Sequence, residues 1–126
     1  MKEHMLNYFT KNNFFKKEQY GFLRGRSTVL QLLRFLEDVT QSYDEGNECH
    51  VVYTDIEKAF DRVPHNRLLY KLKIYGVDEK TLSWICSFLV NRSFRVRMND
   101  SFSEWLNVNS GVPQGSVLGP ILFVIY

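Results

Sequence analysis

Two acids, one amide and two pairs of arginines are the side chains of this sequence with most chemistry to offer. Asp55 follows the run Val51-Val52-Tyr53-Thr54, a short apolar and β-branched stretch of the kind that forms a buried strand. A carboxylate at the end of such a strand can hold a divalent cation, and a solvated acid at a strand end is the competing reading. Nucleotidyl transfer with two metal ions needs carboxylates that converge from separate segments, one ion activating the attacking oxygen and the other steadying the leaving group. Mg²⁺ is bound through one or two carboxylates together with substrate phosphates. Asp55 supplies one such ligand. Asp61, past the expected end of the strand, reads as a turn or helix-capping acid, and the chain contains no Asp-Asp pair. From these residues alone the metal site is incomplete.

Gln114 is the one side chain with hydrogen-bonding reach in a dense piece of turn chemistry, Ser110-Gly111-Val112-Pro113-Gln114-Gly115-Ser116-Val117-Leu118-Gly119-Pro120. A rigid loop opening a helix is a natural place for an amide to meet a ligand; an ordinary strand-to-helix connection is the alternative. Arg24 and Arg26 stand two apart beside Gly21 and Gly25, in a loop that can offer guanidinium groups to phosphate or remain solvated. Arg95 and Arg97 alternate with Phe94, Val96 and Met98. That pattern puts both arginines on one face of a strand, suited to a phosphate backbone and equally to solvent.

The elements that must position these residues follow from periodicity. Residues 1–20 suggest a short helix and an irregular connection. Ser27 or Thr28 can cap a helix whose Leu32, Leu33, Leu36, Val39 and Tyr43 share one face, predicting a core-packed amphipathic element that ends at Asp44 to Glu48. Val63-Pro64 opens a helix with Leu68, Leu69, Leu72 and Tyr75 on its packed face, and Gly76 stops it. Asp78 can cap the next, with Leu82, Ile85, Cys86 and Leu89 repeating at helical spacing and Trp84 and Phe88 widening the core face. Asn99-Asp100-Ser101 turns the Phe94–Met98 strand back into a return strand over 105–109, and a last helix follows the 110–120 loop. The order of elements predicts an α+β fold.

At 126 residues the chain has room for one domain with a core. An apolar share of 44% with 15% aromatics is globular and makes no case for disorder, and a net charge of +2 neither demands nor excludes nucleic acid. Cys49 and Cys86 lack metal-site or disulfide spacing and read as buried free thiols. No signal-peptide core or membrane span is present, which points to an intracellular protein. The apolar, uncapped finish at Tyr126 suggests a piece of a longer protein.

From Gln19 to its last residue the chain resembles the reverse transcriptases of non-LTR retrotransposons of the LINE or jockey type. Residues 21–28 look like that family's fingers motif, Thr54-Asp55-Ile56-Glu57-Lys58-Ala59-Phe60-Asp61 like its motif A, and 110–120 like its motif B. The resemblance implies a partial right-hand polymerase fold. Its fingers would be residues 1–50 and 64–110, a palm strand with motif A would be 51–63, and motif B with the start of a palm helix would be 111–126. It implies that Asp55 is catalytic and binds Mg²⁺, with help from the backbone carbonyl of Ile56, as one of two ions in the complete enzyme. Phe60 would be the steric gate against a 2′-OH. Gln114 would touch the incoming dNTP, with Pro113 and Gly115 fixing its loop and Arg24 reaching the triphosphate or template. Arg26, Arg95 and Arg97 would meet the RNA template and DNA primer. The family's motif C, an Asp-Asp hairpin, does not occur in these 126 residues, nor does a thumb. An inactive chain is the expectation. A non-catalytic remnant with residual nucleic-acid affinity and a group II intron-type enzyme remain as other readings.

Overall fold

The computed structural model describes residues 1–126, which divide into two compact units. One holds Glu3–Glu57 with Met1, and the other Lys58–Tyr126 with Lys2. The architecture is mixed helix with small antiparallel sheets, as the α+β reading expects.

In the first unit, helix α1 (Lys2–Lys11) buries Met5, Leu6 and Phe9. The Phe9 ring lies 5.6 Å from Phe14 and 5.8 Å from Phe15, so the irregular connection folds back on the helix through its aromatics. Helix α2 (Thr28–Asp44) starts where its cap predicts: the Leu30 N–H donates to Ser27 Oγ at 3.2 Å. The expectation of core packing fails here. Leu32, Leu33, Leu36 and Tyr43 are 64, 60, 61 and 81% exposed, and no residue of α2 is buried. Helical spacing fixes which face of a helix is apolar; it does not supply something to cover that face.

The strand expected to run from Val51 to Asp55, within the palm strand of 51–63, is also absent. Residues 47–56 have no regular structure, and Val52 and Tyr53 are 83 and 82% exposed. A strand needs a ladder partner for its backbone groups, and the two sheets pair other segments. Cys49, in the same stretch, is exposed rather than buried, and Cys86 is half-buried.

The second unit has the core. Helix α3 (His65–Ile74) follows Pro64, which serves as its N-cap one residue earlier than the first-turn position expected. Helix α4 (Glu79–Leu89) is capped by Asp78, which accepts from the Thr81 N–H at 3.0 Å and the Thr81 hydroxyl at 2.7 Å. Those bonds from Thr81 hold the Asp78 carboxyl below its usual range. Leu68 and Leu72 of α3 and Ile85 and Leu89 of α4 are fully buried. Trp84 departs from its expected core position: it is exposed, its ring stacked 5.6 Å from that of half-buried Phe88.

One long hairpin follows. Strand β1 (Arg92–Phe94) pairs with β4 (Leu106–Val108), Arg92 opposite Val108, and β2 (Arg97–Met98) pairs with β3 (Ser101–Phe102). Between the ladders, residues 95–96 face 103–105, an unequal count that interrupts the ladder on the return strand. Ser103 bridges the gap: its N–H donates to Val96 O and its hydroxyl accepts from the Val96 N–H, each at 2.9 Å. Helix α5 (Gly119–Ile125) ends the unit, burying Ile121, Leu122 and Ile125.

The two helix faces predict opposite responses to truncation. Leu72→Ala should cost about 2–5 kcal/mol of stability through lost burial and a residual cavity. Leu36→Ala should cost less than about 0.5 kcal/mol. Urea unfolding of the two variants measures the contrast.

Candidate functional site

Residues 60–63 and 110–112 run side by side. The Val112 N–H donates to Phe60 O at 2.9 Å, the Gly111 N–H to Val63 O at 2.8 Å, and the Ser110 hydroxyl to Asp61 O at 2.8 Å. Glycine at 111 is dictated twice. Its φ is +89°, and a Cβ there would fall 2.7 Å from Asp61 Cα and 2.9 Å from Phe60 O. The Gly111 carbonyl accepts from His65 Nε2 and from an Arg92 terminal nitrogen, both at 2.8 Å. Because a carbonyl only accepts, the buried His65 carries its proton on Nε2. Arg92 Nε donates to Leu89 O at 2.7 Å. Burial lowers the Arg92 pKa, and the guanidinium stays charged.

Beyond Gly111 the loop closes on itself. The Ser116 hydroxyl donates to Pro113 O at 2.6 Å and accepts from the Gly119 N–H at 2.9 Å. A Cβ on Gly119 would clash with Pro113 O, so this second glycine is needed for close approach. Pro113 is half-buried; Gly115 is exposed at φ +76° with open space beside it.

Two of the expected site residues are each held by a partner from the other segment of this construction or the helix beyond it. The Phe60 ring stacks on Phe123 of α5 at 4.3 Å with 19° between planes, so the ring is held from below by the helix that the loop begins. Gln114 Nε2 donates to Asp61 Oδ1 at 3.0 Å. Asp61 therefore does not cap a helix, as one sequence reading had it: α3 has no side-chain cap, and the carboxylate takes the Gln114 amide instead. Asp61 and Gln114 border a groove of about 610 Å³ whose other wall comes from Asn107, Asn109 and the base of the hairpin.

Higher on the hairpin, the Arg95 guanidinium lies 3.9 Å from the Phe102 ring and 4.7 Å from the Trp105 ring. Arg97 lies 5.6 Å from the same Phe102 ring and donates from Nε to Asn99 O at 2.9 Å. The two arginines thus share a face, as their alternation implies.

The first unit carries the remaining expected residues. Asp55 and Ile56 lie exposed in the irregular stretch, and the Asp55 carboxylate has no hydrogen bond or ion pair. Arg24 pairs with Glu3 at 2.5 Å on the surface, a weak restraint on either side chain. Arg26 is tied down: one terminal nitrogen donates to Lys16 O at 3.2 Å, to Lys17 O at 2.5 Å and to Gln19 O. Arg24 and Arg26 border a cleft of about 210 Å³ alongside Leu6, Asn7 and Thr10 of α1.

Sequence reasoning missed His65, Arg92 as an internal brace, and Phe123. Nothing in their local patterns announces them, because each acts through a contact tens of residues away. In sequence Gly111 is only one of several turn residues; a Gly directly before an apolar residue and Pro113 gives no hint of the backbone it must pass.

Residues 1–126 match the family described as reverse transcriptase (RNA-dependent DNA polymerase). The chain is 37% identical over 123 residues to the probable RNA-directed DNA polymerase from transposon BS of Drosophila melanogaster, covering 93% of the chain and 13% of that relative. It is 41% identical over 110 residues to the probable RNA-directed DNA polymerase from transposon X-element of the same fly, covering 87% of the chain and 12% of the relative. It is 36% identical over 110 residues to the RNA-directed DNA polymerase from mobile element jockey of Drosophila funebris, again 87% and 12%. The chain thus spans about an eighth of the length of these relatives.

The Gly111 packing yields a direct test. Gly111→Ala forces both a left-handed backbone and a clash, and should destabilise the chain by more than about 2 kcal/mol. Gly115→Ala, strained in φ but with room for its Cβ, should cost about 1 kcal/mol. Denaturant midpoints of the two variants compare them.

Proposed function

The chain belongs to the reverse transcriptase family, and from that premise we propose that it is part of an RNA-directed DNA polymerase that copies retroelement RNA into DNA. The observation that carries this reading is the joining of 60–63 to 110–112, which sets Phe60 and Gln114 on two sides of one locked loop. Those two residues are the ones whose roles concern the incoming nucleotide. In this reading the ring of Phe60 fills the space a ribose 2′-OH would take, so deoxynucleotides are preferred. Stacking on Phe123 keeps the ring from yielding. Gln114 touches the dNTP, with Pro113 and Gly115 shaping its loop. Arg24 turns from its surface pair with Glu3 to the triphosphate or the template.

RNA template and DNA primer are the macromolecular partners. Arg95 and Arg97 meet their phosphates from one face of the hairpin, and Arg26 does so through the nitrogens its carbonyl contacts leave over. The corresponding partition of a right-hand fold gives fingers from 1–50 and 64–110, a palm segment with motif A from 51–63, and motif B with the start of a palm helix from 111–126. The work is done inside the cell, in nucleus or cytoplasm; no helix is long and apolar enough to cross a membrane.

Enzymes of this family use divalent metals, and we take the ions to be Mg²⁺, two in number. Asp55 and the Ile56 carbonyl would contribute to holding them. The residues present do not make up that centre: no group of three or more His, Cys, Asp or Glu could hold an ion. The chemistry derived from this chain is therefore that of selecting and orienting the nucleotide.

Primer extension on an RNA template with Mg²⁺ and dNTPs tests the reading. The 126-residue chain alone should give no product. In a longer polymerase carrying these residues, Asp55→Asn should lower extension by more than about 100-fold. Phe60→Val in the same protein should admit ribonucleotides; unchanged selectivity would remove the gate assignment.

A further inference from the structure

We propose that Asp61 is a positioning residue, whose carboxylate sets the orientation in which Gln114 presents its amide to the incoming nucleotide. The proposal deepens the reading of Gln114 given above and rests on it. The Asp61 backbone is fixed on both sides: its N–H donates to Lys58 O at 2.9 Å, and its carbonyl accepts the Ser110 hydroxyl at 2.8 Å. Gly111 lies flat against its Cα, closer than any side chain would allow. With the backbone held, two side-chain torsions decide where the carboxylate goes, and it goes to Gln114 Nε2 at 3.0 Å.

An amide has two chemically opposite ends of nearly the same shape. An ionised carboxylate only accepts hydrogen bonds, so it can satisfy the NH₂ end and repels the carbonyl end. Asp61 thereby selects one of the two orientations of the Gln114 amide. One N–H is directed to Asp61, and Oε1 and the second N–H remain for a ligand. No lysine or arginine forms an ion pair with Asp61 and competes for the carboxylate. The bond is charge-assisted, and both partners are exposed, so its contribution is to orientation more than to stability.

The proposal gives an acid six residues after Asp55 a role at the site other than that of a metal ligand. It acts through Gln114, on nucleotide selection, from the groove side of the loop.

The test is steady-state kinetics of dNTP incorporation in a longer polymerase carrying these residues. Asp61→Ala keeps both backbone hydrogen bonds and should raise the KM for dNTP about tenfold with kcat within about threefold. Asp61→Asn, which keeps an acceptor oxygen but adds a donor that can bond the Gln114 carbonyl end as well, should recover only part of the loss. Gln114→Ala should raise KM by a similar factor, and adding Asp61→Ala to it should do nothing more. The proposal is overturned if Asp61→Ala leaves KM unchanged while Gln114→Ala raises it, or if the two effects multiply. If Gln114→Ala itself leaves KM unchanged, the nucleotide-contact reading of Gln114 fails first and takes the positioning role with it. A fall in thermal midpoint accompanied by loss of kcat, without Asn rescue, would make Asp61 merely structural.

Discussion

The backbone of Gly111 passes so close to Phe60 and Asp61 that no side chain could stand between them. That approach is what the second unit is built on. It allows the two backbone hydrogen bonds that join 60–63 to 110–112, and it turns the Gly111 carbonyl toward His65 and Arg92. A buried carbonyl has two lone pairs to satisfy, and here α3 and the start of the hairpin each satisfy one. Three elements distant in sequence are thereby fixed to one peptide unit. Everything downstream inherits that anchor: the Ser116 turn, the first residue of α5, and through α5 the ring of Phe123 beneath Phe60.

The two units differ in how their apolar residues are used. In the second, α3, α4 and α5 close over leucines and isoleucines that are almost wholly buried. In the first, burial is confined to α1, and α2 leaves its leucine face in solvent. Both helices of comparable pattern form, since capping and propensity suffice locally, yet only one set obtains the burial that makes a helix stable in its place. The polar bonds follow the same division. Several of the second unit join distant segments, His65 and Arg92 to Gly111 and Gln114 to Asp61 among them, whereas those of α2 are mostly between neighbours one turn apart, such as Arg34 with Glu37 and Asp38.

What could be read from the sequence was whatever depends on near neighbours. Ser27 and Asp78 cap the helices they precede, Gly76 stops α3, and the Asn99 turn reverses the hairpin. The order and spacing of the three motifs identified the family, which the comparison with the fly transposon polymerases bears out. Illegible were the features that depend on what lies opposite. The 51–56 run has strand composition and no ladder partner, so it is irregular. The α2 stripe has helical spacing and no cover. Asp61 lies in a turn, as one half of its reading expects, but caps no helix, and its side-chain partner is 53 residues away. A local pattern constrains backbone conformation well and tertiary partners poorly, and functional sites are made of tertiary partners.

The arginine between Phe102 and Trp105 has one further meaning. A long cationic side chain ordinarily surrenders its rotational freedom at the moment it engages another charge, and that loss is subtracted from the attraction. Arg95 already lies against two rings of its own hairpin, which offsets part of that loss, while the nitrogen edge of the guanidinium carries no hydrogen bond or ion pair. It is placed as a flat donor, by ring contacts worth about 0.5–1 kcal/mol at an exposed site. Lysine in its place would restore the charge and lose the geometry, because an ammonium has no planar face to lay against an indole. Selection for charge alone would accept either residue at position 95; selection for a stiff, ready-oriented cation would accept only arginine.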